Sequence, residues 1–365
     1  MLSALPANLR IVRTNGTVST KNDLVDRPIL RSIPVLDGGF DTAVAIASTA
    51  IEACRNHPPT LILAAGPRFA NFVAGYYVAR QTNANLAFLY MDEWCVRTPP
   101  FVGATDTDRK WERRCLEAAA SVCYVTEGKR SAYEDAYPFL KSKPALVCPN
   151  GWDEAAFAKA HFDTDHLRDY KRYFTISFVG RAAPSAPIHP FLDALDATLA
   201  KRPDLAEKIR VLLVGNQPED VQSRIAEFSR RHSDAAKILP AVPQSNAIEI
   251  MRESSALLLL CTTQYPGIVP QKTYDYLNVP TPILAYGGES DAATIVEAAQ
   301  AGVVVRDRDP AALEDALESL MSSPRENWNN PVRQATAARY NRHAITKDLL
   351  QRLLQLPTNS GDLLQ

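Results

Sequence analysis

The stretch "CTTQYPGIVPQKTYDYLNVPTPILAYG" (261–287) decides the fold. It begins where the apolar run "SALLLLC" (255–261) ends. That run falls well short of the ~20 residues a membrane helix needs, so it reads as a buried strand. A glycine-containing loop follows, a helix opens near Pro270, and a proline-led strand closes the unit. Strand, loop, helix and strand in this order build a parallel sheet. Backbone N–H groups at such a loop and helix start can hold an anion. Lys272 adds a positive point charge there. Asp275, one turn on and on the same face, can accept two hydrogen bonds from a vicinal diol such as a ribose. Together these would recognise a nucleotide diphosphate. The plainer alternative is a solvated Lys–Asp pair on an ordinary helix.

The same alternation extends outward in both directions. Toward the carboxyl terminus, "SDAATIVEAAQAGVVVRD" repeats helix and strand, and "RQATAARYNRHAITKDLLQRLLQL" (333–356) reads as one long amphipathic helix. Upstream, strands are expected at "FTISFVG" (174–180), "IRVLLVGN" (209–216) and "AKILPAV" (236–242), with helices between them. A polar, aromatic-rich linker, "HFDTDHLRDYKRY" (161–173), precedes that cycle. Before it lies a second cycle, with strands at "PTLILAAG" (59–66), "LAFLYMDEW" (86–94), "SVCYVTEG" (121–128) and "PALVCP" (144–149). The reading is an α/β chain of two Rossmann-like, doubly wound domains facing across a cleft, with a carboxyl-terminal crossover helix. The expected domains are 1–160, 161–335 and a helix and tail at 336–365.

Composition agrees. A chain of 365 residues is long enough for two domains, and 46% hydrophobic with 22% charged residues is globular. Forty Lys and Arg against forty-one Asp and Glu argue against a nucleic-acid binder. Twenty-six prolines beside fifteen glycines leave little room for Gly-rich phosphate loops. Neither G-x-G-x-x-G after a strand nor G-x-x-x-x-G-K-(S/T) occurs, which excludes the common dehydrogenase and P-loop classes. Six cysteines make no C-x-x-C pair and read as buried thiols of a reducing compartment. The start, "MLSALPANLRIVR", lacks a signal-peptide pattern, so a cytoplasmic protein is expected, at most peripheral on the inner face of the membrane. The six histidines show no H-x-x-x-H pair, and the D-x-D triplets at 106–108, 163–165 and 307–309 fit chance in a chain with forty-one acidic residues. No metal and no cofactor are expected.

"PQKTYDYLNVPTPILAYG" resembles the donor-nucleotide motif of GT-B glycosyltransferases, chiefly the retaining family 4 type, also called glycosyl transferases group 1. Asp275 lies seven residues before Pro282, where that family has its ribose-binding acid, and Lys272 precedes it by three. The family's first acid is absent; Gln264 and Gly267 stand near its place. Further segments resemble the family in order. "FTISFVGRAAP" is similar to the strand opening the donor domain and puts Arg181 where a basic residue meets the donor pyrophosphate. "VLLVGN" brings Gly215 toward the nucleotide, and "ILPAVPQSNAIEIM" brings Ala241 and Val242 to the base. "VCPNGWDEAAF" resembles the interdomain element, and "ERRCLEAAASVCYVTEGKR" a helix–strand segment of the acceptor domain. The family's amino-terminal Gly-Gly loop has no clear counterpart at 9–28 or in "DGGFD" (37–41).

The resemblance implies a glycosyltransferase that moves a sugar from a nucleotide diphosphate sugar to a glycan, lipid-linked or small-molecule acceptor, retaining and without metal. Cell-envelope polysaccharide or glycoconjugate assembly is its family-level setting. The implied donor set is Arg181, Gly215, Ala241, Val242, Gly267, Ile268, Val269, Lys272 and Asp275, with Arg181 and Lys272 steadying the leaving diphosphate. On the acceptor side, Asp92 and Glu93 end a strand, where either could bind a hydroxyl or serve as a base if the reaction inverts. Trp94 and Phe101 could stack on a sugar, though core packing is the commoner use of such rings. Glu127 ends the next strand. The alternatives are a GT-B epimerase or phosphorylase, or a non-catalytic relative that binds a nucleotide or glycan.

Overall fold

A computed structural model of the chain describes residues 39–96, 104–160 and 167–357. It divides into two compact units, 1–148 with 347–365, and 149–346. The expectations placed on 9–28, Asp37, Gly38, Phe101, His161, His166 and the triplet at 163–165 lie outside the described residues.

The first unit holds a parallel sheet of β1 (Leu61–Ala65), β2 (Asn85–Tyr90), β3 (Ser121–Tyr124) and β4 (Ala145–Val147), in that order. Helix α1 (Gly39–Cys54) packs on α2 (Ala70–Thr82), while α3 (Asp106–Ala118) and α4 (Glu127–Ala136) complete the strand–helix alternation. Strand residues alternate between two faces. Leu86, Phe88 and Tyr90 join Trp111 and Tyr133 in one core, and Ala87 joins Cys123, Leu349 and Leu353 in another. Thr105 and Asp108 close a reciprocal capping box that starts α3.

In the second unit, a short helix α5 (Glu154–Ala158) leads into six parallel strands. They are β5 (Phe174–Val179), β6 (Ile209–Val214), β7 (Ala236–Leu239), β8 (Ala256–Leu260), β9 (Ile283–Tyr286) and β10 (Gly302–Val305), arranged β10-β9-β8-β5-β6-β7. The order reverses between β5 and β8, the doubly wound arrangement with its topological switch point. Leu258 and Leu260 serve the core on one face and Leu257 and Leu259 the core on the other. This is why β8 reads as an uninterrupted apolar run. The helices are α6 (His189–Lys201), α7 (Pro203–Lys208), α8 (Glu219–Arg231), α9 (Gln244–Glu253), α10 (Gln271–Leu277), α11 (Asp291–Ala298), α12 (Pro310–Ser322) and α13 (Pro331–Arg339). Helix α8 buries Val221, Ile225 and Phe228 at helical spacing, with acids in its first turn and arginines in its last. Four of the twenty-six prolines sit at helix starts, in α6, α7, α12 and α13, where the missing N–H costs nothing.

Two features differ from the sequence reading. The expected single helix at 333–356 is two, α13 and α14 (Arg342–Leu354). The segment around Trp152 bonds into the break: its N–H donates to the Tyr340 carbonyl (2.8 Å), and its carbonyl accepts from the Arg342 N–H (3.0 Å). Residues 149–160, read with the first domain, pack in the second unit. Trp152 Nε1 donates to the Ala337 carbonyl at 2.7 Å, and Phe157 is buried with the α10 core. No helix of the described residues is long and apolar enough to cross a membrane.

Candidate functional site

Strands β5 and β6 pair along six residues, but β5 and β8 pair only at Ile176↔Ala256 and Ser177↔Leu257. The ladder therefore stops short of the carboxyl ends at the switch point, where open α/β sheets receive ligands. Lys272, on the second residue of α10, reaches this place. Its Nζ lies 3.4 Å from the centre of the Phe178 ring. Gly180 has φ +120°, which favours glycine, and a Cβ there would come within 3.2 Å of that nitrogen and crowd it. The Lys272 Nζ is buried and has no hydrogen-bond partner. Burial pushes its pKa down to about 7.

The loops on either side are held by Gln217, which is 7% exposed. Its Nε2 donates to the carbonyls of Gly180 (2.7 Å) and Gly215 (3.1 Å), and its Oε1 accepts from the Ala182 N–H (3.0 Å). Gly215 also has a positive φ, +125°. The Val179 N–H donates to the Tyr276 hydroxyl at 3.0 Å, tying β5 to α10. Lys272, Gly180 and Gly215 are thus brought together on three separate elements.

Asp275 is half-buried one turn beyond Lys272. Gln271 Nε2 donates to it at 3.3 Å and to the Gly151 carbonyl at 2.7 Å. Arg342 donates to the carbonyls of Asn150 and Gly151, both at 3.0 Å, and pairs with Asp153 at 3.4 Å. Burial pushes the Asp275 carboxyl up to about 6; Asp153 adds to the rise, while the Gln271 bond and Arg342 oppose it. Lys272 and Asp275 do not pair with each other, so the plain alternative of a Lys–Asp surface pair does not describe them.

The other expected donor residues lie on loops of the same unit. Arg181 is exposed beside Gly180 and makes no ion pair among the described residues. Ala241 is exposed and Val242 half-buried after β7. Gly267 and Ile268 are half-buried and Val269 buried, with the Ile268 N–H donating to the Tyr265 carbonyl at 3.1 Å.

The acceptor-side candidates lie in the first unit and separate into different roles. Asp92 is exposed just after β2. Glu93 is paired to the buried Lys129 at 3.4 Å, whose Nζ also donates to the Met91 carbonyl at 2.7 Å. Glu127 is exposed at the start of α4, 3.7 Å from Arg130. Trp94 is a correction: it is 5% exposed, donates to Asp108 at 3.1 Å and stacks on Phe69 at 5.0 Å, so its ring faces serve the core.

Sequence reasoning missed Phe178, Gly180 and Gln217. The "FVG" at the end of β5 carried a usable signal, because a glycine closing a strand marks close approach. Gln217 carried none, since one glutamine in a loop looks like any other.

Residues 173–323 match the family described as Glycosyl transferases group 1. No curated protein sequence matches the chain. Solved structures of similar fold include a UDP-forming α,α-trehalose-phosphate synthase from Burkholderia xenovorans (TM-score 0.69, 13% identity, covering 87% of this chain and 78% of that one). Sucrose-phosphate synthase from Thermosynechococcus elongatus is another (TM-score 0.65, 17% identity, 86% and 78%). Anabaena HepE, solved in complex with UDP and glucose, is a third (TM-score 0.65, 16% identity, 86% and 81%). These neighbours share the expected fold of two Rossmann-like domains. A glycosyl transferases group 1 domain is therefore matched at 173–323, in a chain that shares the GT-B fold of these solved glycosyltransferases.

Proposed function

We propose that the protein moves a sugar from a nucleotide diphosphate sugar to an acceptor hydroxyl, with retention and without a metal. The observation that carries this reading is the Lys272 ammonium, buried and unpartnered beside Gly180 at the switch point of the matched domain. A diphosphate would supply the acceptors that this cation lacks. Arg181 on the adjoining loop would add charge as the leaving group departs. Asp275 would take the ribose hydroxyls, since a carboxylate accepts at both oxygens. In a retaining reaction the departing phosphate oxygen takes the acceptor proton, so no protein base is needed. Asp92, exposed after β2, is the residue assigned to the acceptor hydroxyl. UDP-sugars are the first donors to test, because HepE was solved with UDP and glucose.

The test is a thermal-shift screen with UDP-, GDP-, dTDP- and ADP-sugars in EDTA, followed by assay of nucleoside diphosphate release with sugar phosphates and glycans as acceptors. One nucleotide class should raise the melting temperature and release its diphosphate only when an acceptor is present. Conversion of the nucleotide sugar to an isomer with no net diphosphate release would favour an epimerase, and phosphate-dependent cleavage of a glycan to a sugar phosphate would favour a phosphorylase. Absence of any shift would sink the donor assignment.

A further inference from the structure

We propose that Lys272 is a proton-linked anion receptor: its amine rests on the face of Phe178, and the diphosphate binds together with a proton taken up by that amine. The inference rests on the donor reading above and adds a coupling to it.

The geometry supplies the reason. The Nζ is buried, has no hydrogen-bond partner and lies against the Phe178 ring and beside Gly180. An ammonium so placed has lost its water and gained one weak partner, so its charged form is destabilised. Helix α10 packs against β8, α11 and α13, and Lys272 itself against β5. The charged or titratable groups on these elements do not compensate it. Asp275 is bonded to Gln271, and Glu297 on α11 is paired with Arg306. The Cys261 thiol at the end of β8 and the phenols of Tyr276 and Tyr340 are pushed up by burial and stay neutral. Arg181, and Arg333 and Arg339 on α13, carry the same sign as Lys272. Asp291, at the start of α11, makes no salt bridge with it. Burial is the sole cause of the fall to about 7.

An arriving diphosphate reverses the balance. Its oxygens accept from the ammonium, the charged form becomes the stable one, and one proton moves from solvent to Nζ as the complex forms. Above neutral pH the unbound protein holds mostly neutral amine, so binding weakens as the proton becomes scarcer.

The experiment is calorimetric titration of the full chain with UDP-glucose, whose pyrophosphate has no titrating oxygen in this range. It is run from pH 7 to 8.5 in buffers of different ionisation enthalpy. The expected uptake is about 0.5 proton at pH 7 and about 0.9 at pH 8, with Kd weakening roughly tenfold per pH unit at the upper end. Lys272→Arg should bind with no uptake and a flat pH profile, and Lys272→Met should bind weakly with no uptake. Equal heats in all buffers with a pH-independent Kd in the native chain would overturn the coupling and leave the donor reading standing. Uptake persisting in both variants would place the proton elsewhere and also overturn it. Failure of UDP-glucose and of the GDP-, dTDP- and ADP-sugars to bind at any pH would remove the donor reading and this inference together.

Discussion

Two buried cations stand in the second unit, and they have opposite environments. Arg333, on α13, is 1% exposed. It donates to the carbonyls of Tyr276 (2.6 Å), Thr281 (2.8 Å), Trp328 (2.9 Å), Leu277 (3.1 Å) and Ala301 (3.3 Å). A guanidinium has five N–H donors, so the group is saturated. Burial, with Arg325 adding to it, brings its pKa down only to about 10, and it stays charged at neutral pH. Lys272 has three donors and uses none. Neither cation faces a carboxylate, so burial and sign alone do not separate structure from function. Hydrogen-bond completion does: Arg333 pins the ends of α10 and β9, while the Lys272 Nζ has no hydrogen-bond partner among the described residues.

The largest way to break this comparison is to empty the saturated site. Arg333→Met would take one donor from each of five carbonyls, of which those of Tyr276 and Ala301 keep a backbone N–H partner. A loss of about 3–5 kcal/mol of stability is expected, read from urea denaturation. Arg333→Lys, with three donors on a flexible stem, should fall between. A loss below about 1 kcal/mol for the methionine would mean that water replaces the guanidinium without cost, and the clamp reading would fail.

The first unit offers the anionic counterpart. Glu112 is fully buried and accepts from the hydroxyls of Tyr137 (2.8 Å), Tyr133 (3.0 Å) and Tyr90 (3.3 Å) and from the Cys95 N–H (3.3 Å). Burial raises its pKa, while the Tyr137, Tyr133 and Cys95 bonds oppose the rise. It is complete in the same sense as Arg333, so its role is to order the β2–α3 region rather than to react. Glu112→Ala should cost about 2–3 kcal/mol and Glu112→Gln clearly less, because the amide oxygen still accepts. Chemical denaturation of the two variants decides it; equal losses would show that the charge, not the acceptor, is what the tyrosines require.

The contrast also explains what the sequence made legible. The apolar runs of β5, β6 and β8 and the spacing of α8 dictate a parallel sheet directly, since both depend on local periodicity. Lys272 and Asp275 were readable because they share a helix with fixed spacing from Pro282. The partners that give those residues meaning come from elsewhere in the chain. Phe178 and Gly180 are about ninety positions from Lys272, and no local pattern reports that their strand meets its helix. Gln217 bridges two loops through backbone carbonyls, which carry no residue-type signature. The broken final helix was hidden for a similar reason, because the segment around Trp152 that bonds into the break lies about 190 residues upstream. For Trp94 the sequence left both uses open, because an aromatic after a strand looks the same whether its ring faces sugar or, as here, Phe69.

The smallest expected effect is also the one that separates the two cations by sign. Removing Arg333 should destabilise the chain, whereas Lys272→Met should leave it unchanged or stabilise it by about 1 kcal/mol at neutral pH. The methionine keeps the volume, places sulfur on the Phe178 ring and removes an uncompensated charge. The pH dependence follows from the depressed pKa. In the unfolded chain Lys272 keeps its ordinary value of 10.5, and in the folded chain it falls to about 7. Between those values the unfolded state holds the proton and the folded state does not, so this lysine makes stability rise with pH across that window. Below about 7 both states are charged and the penalty of the buried ammonium is present in full. The advantage of Lys272→Met over the native chain should therefore be greatest near pH 6, disappear as pH rises above 7 and become a deficit toward pH 10. Asp275 acts in a different window. Its pKa is raised from 3.8 to about 6, so the folded state keeps a proton that the unfolded state has released, and stability falls as pH rises between those values. Asp275→Asn should accordingly gain on the native chain from pH 4 to 6 and then hold level. Melting temperatures of the three proteins from pH 4 to 10, without nucleotide, resolve both windows. A constant difference between Lys272→Met and the native chain would mean that Lys272 stays charged throughout, and that it is as finished a residue as Arg333.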